Sequence, residues 1–313
     1  SRVAPRVRIW PEKQISTGAV VGENIVWGYG ERTGFIGRGG FVGDIGVDLT
    51  PLRLAKIFGA VAEYMSGKRA ALTADGSPLC GAVLKQASGM LTMGGVDVLA
   101  MKRVLRPVCA SLARTLDAGL CVMLHAHKQR LYVDLFEPEL FMLSKQARRK
   151  IEAKYFAQGE RLACSETGQE TWVDLADQLY LNSITQSVDW SVVKAAGLKA
   201  VVAGGRDADA LAAKALESCG ARVTRFFGDA VSRAVQDEEA SFGVRMSKNG
   251  QAAALYLPDG RVLGAEECRT LGYYLVMNGM TGSEIMLPTG VTRGVISVAD
   301  SLGLRYSFAS EEE

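Results

Sequence analysis

The stretch RAALTADGSPLCGAVLKQASGMLTMGGVDVLAM, residues 69–101, decides the fold. Its ends, RAALTAD and VDVLAM, are short apolar runs of the kind that bury both faces in a parallel sheet. Between them, LCGAVLKQASGMLTMGG has the length of a crossover helix and is closed by two glycines. Strand, helix and strand in succession predict a βαβ unit. The alternation extends both ways. Upstream, LTPLRLAKIFGAVAEYMSG carries Leu52, Ala55, Ile57, Phe58, Val61, Ala62 and Met65 at helical spacing. Thr50 is its N-cap, Pro51 takes the first helical position and Gly67 stops it. Downstream, PVCASLARTLD predicts a helix, GLCVMLHA a strand, and LSKQARRKIEAKYFAQG a basic amphipathic helix with Ile151 and Tyr155 turned inward. WVDLADQLYLNSITQSV is predicted helical. LKAVVAGG then predicts a strand, DADALAAKALESCG a helix ended by Gly220, and ARVTRFF a strand. Asp207 and Asp209 read as caps of that helix. SFGVRMSKNGQAAALYLPDGRVLG predicts two strand-like runs around SKNG with a hairpin turn at PDG. AEECRTLGYYLVMNG, SEIMLP and TRGVISVADSLG follow as helix, strand and helix. The predicted class is α/β, with largely parallel sheets.

Composition narrows the function classes. A chain of 313 residues, 48% hydrophobic, is long enough for two or three domains. A net charge of +2 from 36 basic and 34 acidic residues carries no signature of nucleic acid or of a membrane surface as partner. No apolar run reaches the roughly 18–20 residues that span a bilayer, and SRVAPRVRIW has no apolar core of a signal peptide. Six scattered cysteines (Cys80, Cys109, Cys121, Cys164, Cys219, Cys268) never form a CxxC pair and read as buried thiols of a reducing, cytoplasmic compartment.

Residues 1–27 are of another kind. Ile9, Ile15, Val20 or Val21, and Ile25 recur about every five or six residues in VRIWPEKQISTGAVVGENIVWG. That spacing resembles the hexapeptide repeat of a left-handed parallel β-helix, whose coils need neighbours to stack upon. The expectation is a β-helix remnant through which the chain forms a homo-oligomer.

Among motifs, GRGGFVG has backbone N–H groups that could cradle a phosphate, but it follows no strand that would make it a dinucleotide fingerprint. GLCVMLHAHKQ, residues 119–129, holds both histidines of the chain, His125 and His127. Alternate residues of a strand share a face, so the pair could chelate one metal and support a metal-dependent hydrolase. A third histidine for such a site is lacking.

The order of these motifs resembles the α-D-phosphohexomutases, the phosphomannomutases and phosphoglucomutases, across their first three domains. IGRGGFVG before LTPLRLAKIFGAVAEYM stands where that family has a loop of the type FGTSGIRG before an LTP helix. LTADGSP stands at a GRD-type motif, VMLHAHKQR at the TASHNP serine loop, and ASFGVRMSKNGQAAALYLPDGRVLG at the segment with the metal-binding aspartates. The resemblance implies tandem α/β/α domains: 28–158 as domain I, 159–232 as domain II and 233–313 as an incomplete domain III, with the fourth domain absent. It places His127 at the phosphoserine, and Ser247, Asn249 and Gln251 at the three aspartates that hold Mg²⁺. The family's arginines fall on Val42, Ala74 and Ala252, while Asp75 is kept. No cofactor is expected, because the Mg²⁺ ligands are missing. Arg38, Asp75, His125, His127, Lys128, Arg130, Lys248 and Asn249 are then the candidates for binding a sugar phosphate or nucleotide sugar. A β-helix coil ahead of such a module resembles the C-terminal part of a mannose-1-phosphate guanylyltransferase-like sugar nucleotidyltransferase. Three readings follow: a catalytically degenerate regulatory or scaffolding module, a phosphohexomutase altered to use phospho-His127, or the metal hydrolase at His125 and His127.

Overall fold

Residues 2–5, 7–9, 20–21, 36–37, 39–157, 166–280 and 283–309 are described by the computed structural model of the chain. They divide into two units, Ser1–Ala176 and Asp177–Glu313. The chain begins with two short strands, β1 (Arg2–Val3) and β2 (Val20–Val21), which pair in parallel with Arg2 opposite Val20 and Val3 opposite Val21. Ile15 and Ile25 lie outside the described residues.

The rest of the first unit is built on one sheet. Its elements are β3 (Gly40–Asp44), α1 (Pro51–Met65), β4 (Arg69–Ala74), α2 (Pro78–Met93), β5 (Asp97–Met101), α3 (Arg106–Thr115), β6 (Leu120–His127), β7 (Arg130–Phe136), α4 (Lys145–Ala157) and β8 (Glu170–Val173). Six strands lie in the order β3-β7-β6-β4-β5-β8. β4, β5, β6 and β8 run parallel, while β7 turns back antiparallel to β6 and β3 antiparallel to β7. The expected parallel sheet is therefore mixed at one side, because a tight hairpin follows β6 where a crossover helix would be needed to keep the direction.

Alternation along the strands assigns the two faces. Ala70, Leu72, Val98, Leu120, Val122, Leu124, Val133 and Leu135 point into a core shared with α1, α2 and α4. Ile57 and Phe58 of α1 are fully buried there, each contributing about 1.5–3 kcal/mol of apolar burial. α1 starts as expected, with Thr50 Oγ1 accepting the Arg53 N–H and Pro51 at its first position. α3 lies on the opposite face, where Cys109 meets Cys121. The crossover from β4 to β5 runs through α2 on one face, and that from β5 to β6 through α3 on the other. Right-handed crossovers that run across the sheet in opposite directions must do this, and they open a switch point at the C-terminal end of β4.

In the second unit the elements are α5 (Ala176–Ser187), α6 (Trp190–Ala195), β9 (Lys199–Ala203), α7 (Asp207–Ser218), β10 (Arg222–Phe226), α8 (Val231–Asp237), β11 (Phe242–Met246), β12 (Ala253–Tyr256), β13 (Val262–Leu263), α9 (Ala265–Asn278), β14 (Glu284–Pro288), α10 (Arg293–Ser301) and β15 (Arg305–Ala309). One five-stranded sheet has the order β10-β9-β11-β12-β13, and β14 pairs with β15 in parallel. The core of the larger sheet joins Val201 and Ala203 to Val231, Val235 and Tyr256. A smaller core gathers Met277, Leu287, Val295, Ala299 and Leu304.

Several expectations are corrected here. The segment WVDLADQLYLNSITQSV begins as strand, since Glu170–Val173 pairs with β5, and only Ala176–Ser187 of it is helical. The boundary placed at 158/159 therefore sets β8 apart from its own sheet. The boundary at 232/233 likewise cuts through the five-stranded sheet, because β11 pairs in parallel with β9. Asp207 and Asp209 do not cap α7, whose N-cap residue is Arg206. Among the described cysteines, Cys80, Cys109, Cys121 and Cys219 are buried as expected, whereas Cys268 is half-buried. No described helix is long and apolar enough to cross a membrane.

Candidate functional site

In the first unit the switch point is where a ligand site is expected, outside the carboxyl end of β4. Asp75 sits there. Its carboxylate accepts the Ser77 N–H at 2.8 Å and the Ala126 N–H at 2.9 Å, while its own N–H donates to the Leu124 carbonyl at 2.9 Å. Burial pushes the Asp75 carboxyl up, but the backbone N–H groups of Ala126 and Ser77 outweigh it and hold the group below the ordinary aspartate range. Asp75 thus fastens the end of β4 to the end of β6 and starts the turn into α2, where Ser77 caps the helix.

His125 and His127 do lie on one face of β6, and that strand then turns at once. His127 pairs with Arg130, leaving only Lys128 and Gln129 as the hairpin turn. Lys128 has φ 56°, an uncommon left-handed conformation for a residue with a Cβ. The Gln129 carbonyl accepts the Ile45 N–H at 3.0 Å, and Arg130 Nε lies 3.3 Å from Asp44 Oδ1 in an exposed ion pair. His127 and Lys128 are exposed. The structure therefore brings Asp75, His125, His127, Lys128 and Arg130 to one hairpin and its anchor. Arg38 lies outside the described residues.

A cluster that sequence reasoning missed lies beneath His125. Tyr132, opposite it on β7, stacks on the imidazole with centroids 4.6 Å apart and planes 4° from parallel. Asp134 Oδ2 is 3.6 Å from His125 Nδ1 and 4.0 Å from Arg106 Nη1. The Arg106 guanidinium lies over the Phe136 ring at 4.1 Å and is 5% exposed, and its Nε has no hydrogen-bond partner among the described residues. Burial pushes the Asp134 carboxyl up, against the pull of His125 and Arg106, and it lowers Arg106 against the pull of Asp134. Both directions say that at this separation desolvation outweighs the attraction of the pair. The signal in the sequence was the alternation of LYVDLF, which sends Tyr132 and Asp134 to the face opposite Leu131, Val133 and Leu135.

In the second unit Ser247–Ala252 joins β11 to β12. The Ser247 N–H donates to the Ala252 carbonyl at 2.7 Å, and Ser247 Oγ accepts the Ala252 N–H at 2.9 Å. Inside this closure Ser247 Oγ donates to Asn249 Oδ1 at 2.8 Å, and Asn249 Nδ2 donates to Gln251 Oε1 at 2.6 Å. The three side chains converge, but they satisfy one another as neutral groups. Lys248 is exposed beside them. The loop is anchored from below by Asp209, 1% exposed, whose Oδ1 accepts the Met246 N–H at 2.8 Å. Arg206 Nη1 donates to the Met246 carbonyl at 2.9 Å.

Mg²⁺ is usually held through carboxylates, phosphates and water in an octahedron. A hydroxyl and two amides whose oxygens are already engaged do not fit that requirement. Among the described residues no group of three or more His, Cys, Asp or Glu could hold a metal ion, the neighbourhood of His125 and His127 included.

No protein-family model and no curated protein sequence matches the chain. Solved structures do. A protein of Thermus thermophilus described as a phosphomannomutase superposes with a TM-score of 0.67 at 19% identity, over 88% of this chain and 68% of its own length. A phosphoglucomutase/phosphomannomutase family protein of Burkholderia thailandensis gives 0.65 at 18% identity, over 86% and 64%. The chain spans about two thirds of the length of these two proteins. On these superpositions the chain, with its helices on mixed sheets, has the phosphomannomutase/phosphoglucomutase fold.

Proposed function

We propose that the chain is a catalytically degenerate phosphohexomutase-like module that binds a sugar phosphate or nucleotide sugar. In this reading it is the cytoplasmic regulatory or scaffolding part of a mannose-1-phosphate guanylyltransferase-like sugar nucleotidyltransferase. The observation that carries the degenerate reading is the loop Ser247–Ala252. Its three convergent side chains are neutral and bond to each other, so they offer no charge against a transferring phosphoryl group. The two-residue turn after His127 supports the same reading, since it leaves no loop to carry a phosphoryl group to a substrate. The ligand half rests on Lys128 and Arg130 beside the switch point, whose charges can meet a phosphate without a metal ion.

The β-helix remnant is supported by the pairing at the N-terminus. Arg2 faces Val20 and Val3 faces Val21 in parallel, and both offsets (20 − 2 and 21 − 3) equal three hexapeptides. Stacked coils would give the homo-oligomer, which light scattering on the full chain measures directly. A monomer at all concentrations removes the scaffold. A thermal-shift series with hexose phosphates and nucleotide sugars tests the ligand. A rise in Tm with at least one supports it, and no rise with any overturns it. Interconversion of mannose 1- and 6-phosphate by the purified chain with Mg²⁺ would overturn the degenerate reading.

A further inference from the structure

His125 is held unlike a free surface histidine. Its Nδ1 edge faces Asp134 Oδ2 at 3.6 Å, and one ring face is covered by Tyr132 lying 4° from parallel. Asp134 is in turn backed by Arg106, which supplies a positive charge to the same Oδ2. The opposite edge of the imidazole bears Nε2, on a side chain that keeps 37% of its exposure. A carboxylate behind one imidazole nitrogen favours the proton there, leaving the lone pair on the other. It also stabilises the positive charge that the ring gains when that nitrogen forms a bond. Among the described residues His127 has no such carboxylate and no stacked ring. Its strand partner Arg130 is paired with Asp44.

We propose that His125 Nε2 is a phosphoryl-accepting nucleophile, with Asp134 as its positioning residue and a small donor with a good leaving group, an acyl phosphate or a phosphoramidate, as the source. In the step, the Nε2 lone pair forms a P–N bond while the donor's bond from phosphorus to its leaving group breaks. The leaving carboxylate or ammonia carries off that electron pair. Nδ1 keeps its proton, and the ring becomes a cationic phosphoimidazole facing Asp134. Histidine is among the side chains that form covalent intermediates of this kind. The arrangement lies wholly within the first unit and stands whether or not the chain binds a sugar phosphate. It also moves the phosphoryl acceptor away from His127, where the family resemblance put it.

Phosphoramidate is the probe, with free N-acetylhistidine as the reference. The full chain should gain one acid-labile phosphoryl group by intact mass, faster than the reference, and ³¹P NMR should place it on Nε2. His127→Ala should label as the natural chain does, and His125→Gln should not label. Asp134→Asn should label about tenfold more slowly, taking as a guide the low end of what is lost when the carboxylate behind a metal-bound histidine is removed. It should also spread the label over both ring nitrogens, a change that a merely structural role for Asp134 would not produce. Labelling no faster than N-acetylhistidine, or labelling that survives in His125→Gln and vanishes in His127→Ala, overturns the proposal. Near-UV circular dichroism matched to the natural chain certifies each variant before it is scored.

Discussion

Replacing Ser247, Asn249 and Gln251 together by aspartate tests whether these three side chains meet at one point. Today Ser247 Oγ and Asn249 Oδ1 are 2.8 Å apart, and Asn249 Nδ2 and Gln251 Oε1 are 2.6 Å apart. Carboxylates in those places would relax outward. At about 5 Å, and at an effective dielectric constant between ~20 and ~80, each adjacent pair still repels by about 1–3 kcal/mol. Two adjacent pairs, with the Asn249 donor also lost, should destabilise the second unit by about 3 kcal/mol. At roughly 2–4 °C per kcal/mol its transition should fall by roughly 6–12 °C in EDTA. A divalent cation should reverse the loss, since a ligand at 100 times its Kd stabilises by about 2.7 kcal/mol. The assay is a thermal melt of the natural chain and the triple variant, each in EDTA and in millimolar Mg²⁺. The expected pattern is a low Tm that Mg²⁺ restores in the variant, against a Tm indifferent to Mg²⁺ in the natural chain. A triple variant that responds neither to the new charges nor to Mg²⁺ would show that the side chains do not converge. An equal Mg²⁺ response in the natural chain would show that the neutral set holds the ion after all.

Other outcomes follow from single contacts. Asp75 is held below the ordinary aspartate range, so its contribution is present above the unfolded value, about pH 4, and is lost as pH falls through the lower folded value. Asp75→Asn should therefore flatten the fall of the urea midpoint between about pH 4 and pH 2; an unchanged slope would mean the carboxylate is not so held. Asp209→Ala removes a buried acceptor of the Met246 N–H and should cost about 2–3 kcal/mol by urea unfolding. A cost under ~0.5 kcal/mol would place Asp209 in solvent. Gly40 has φ 125° and a Cβ there would lie 2.1 Å from the Val133 carbonyl oxygen. Gly40→Ala should strip β3 from β7 and lower stability by more than about 3 kcal/mol, read as lost amide protection across Phe41–Asp44, and retained protection there would refute the register.

How much of this was legible in the sequence can be judged from particular residues. The α1 helix was legible because Thr50, Pro51 and Gly67 are local signals that act within one turn. The hairpin at PDG was legible for the same reason, with Gly260 at φ 83°. β8 was not, since Trp172 and Val173 continue the apolar pattern of the helix after them, and only a non-local pairing with β5 makes them strand. The segment VMLHAHKQR was placed from motif order, yet its two-residue turn at Lys128 and Gln129 depends on the register of β6 against β7. The cluster of Arg106, His125 and Asp134 was illegible for a related reason. It needs α3 to cross that face and two strands to pair, and no spacing in the chain announces either. Asp209 looked like a cap because acidic residues are common in a first helical turn, while its bond goes to a residue of another element.

The turn at Lys128 and Gln129 has one more consequence, and it concerns slack. Two residues span at most about 7 Å even when fully extended, and here their ends are already joined by the His127–Arg130 pair and pinned by the Ile45 N–H. Four backbone dihedrals closed by fixed ends leave the tip no separate coordinate along which to swing. Any ligand of His125, His127 or Lys128 would have to come to them, because the hairpin is a fixed post that does not reach out.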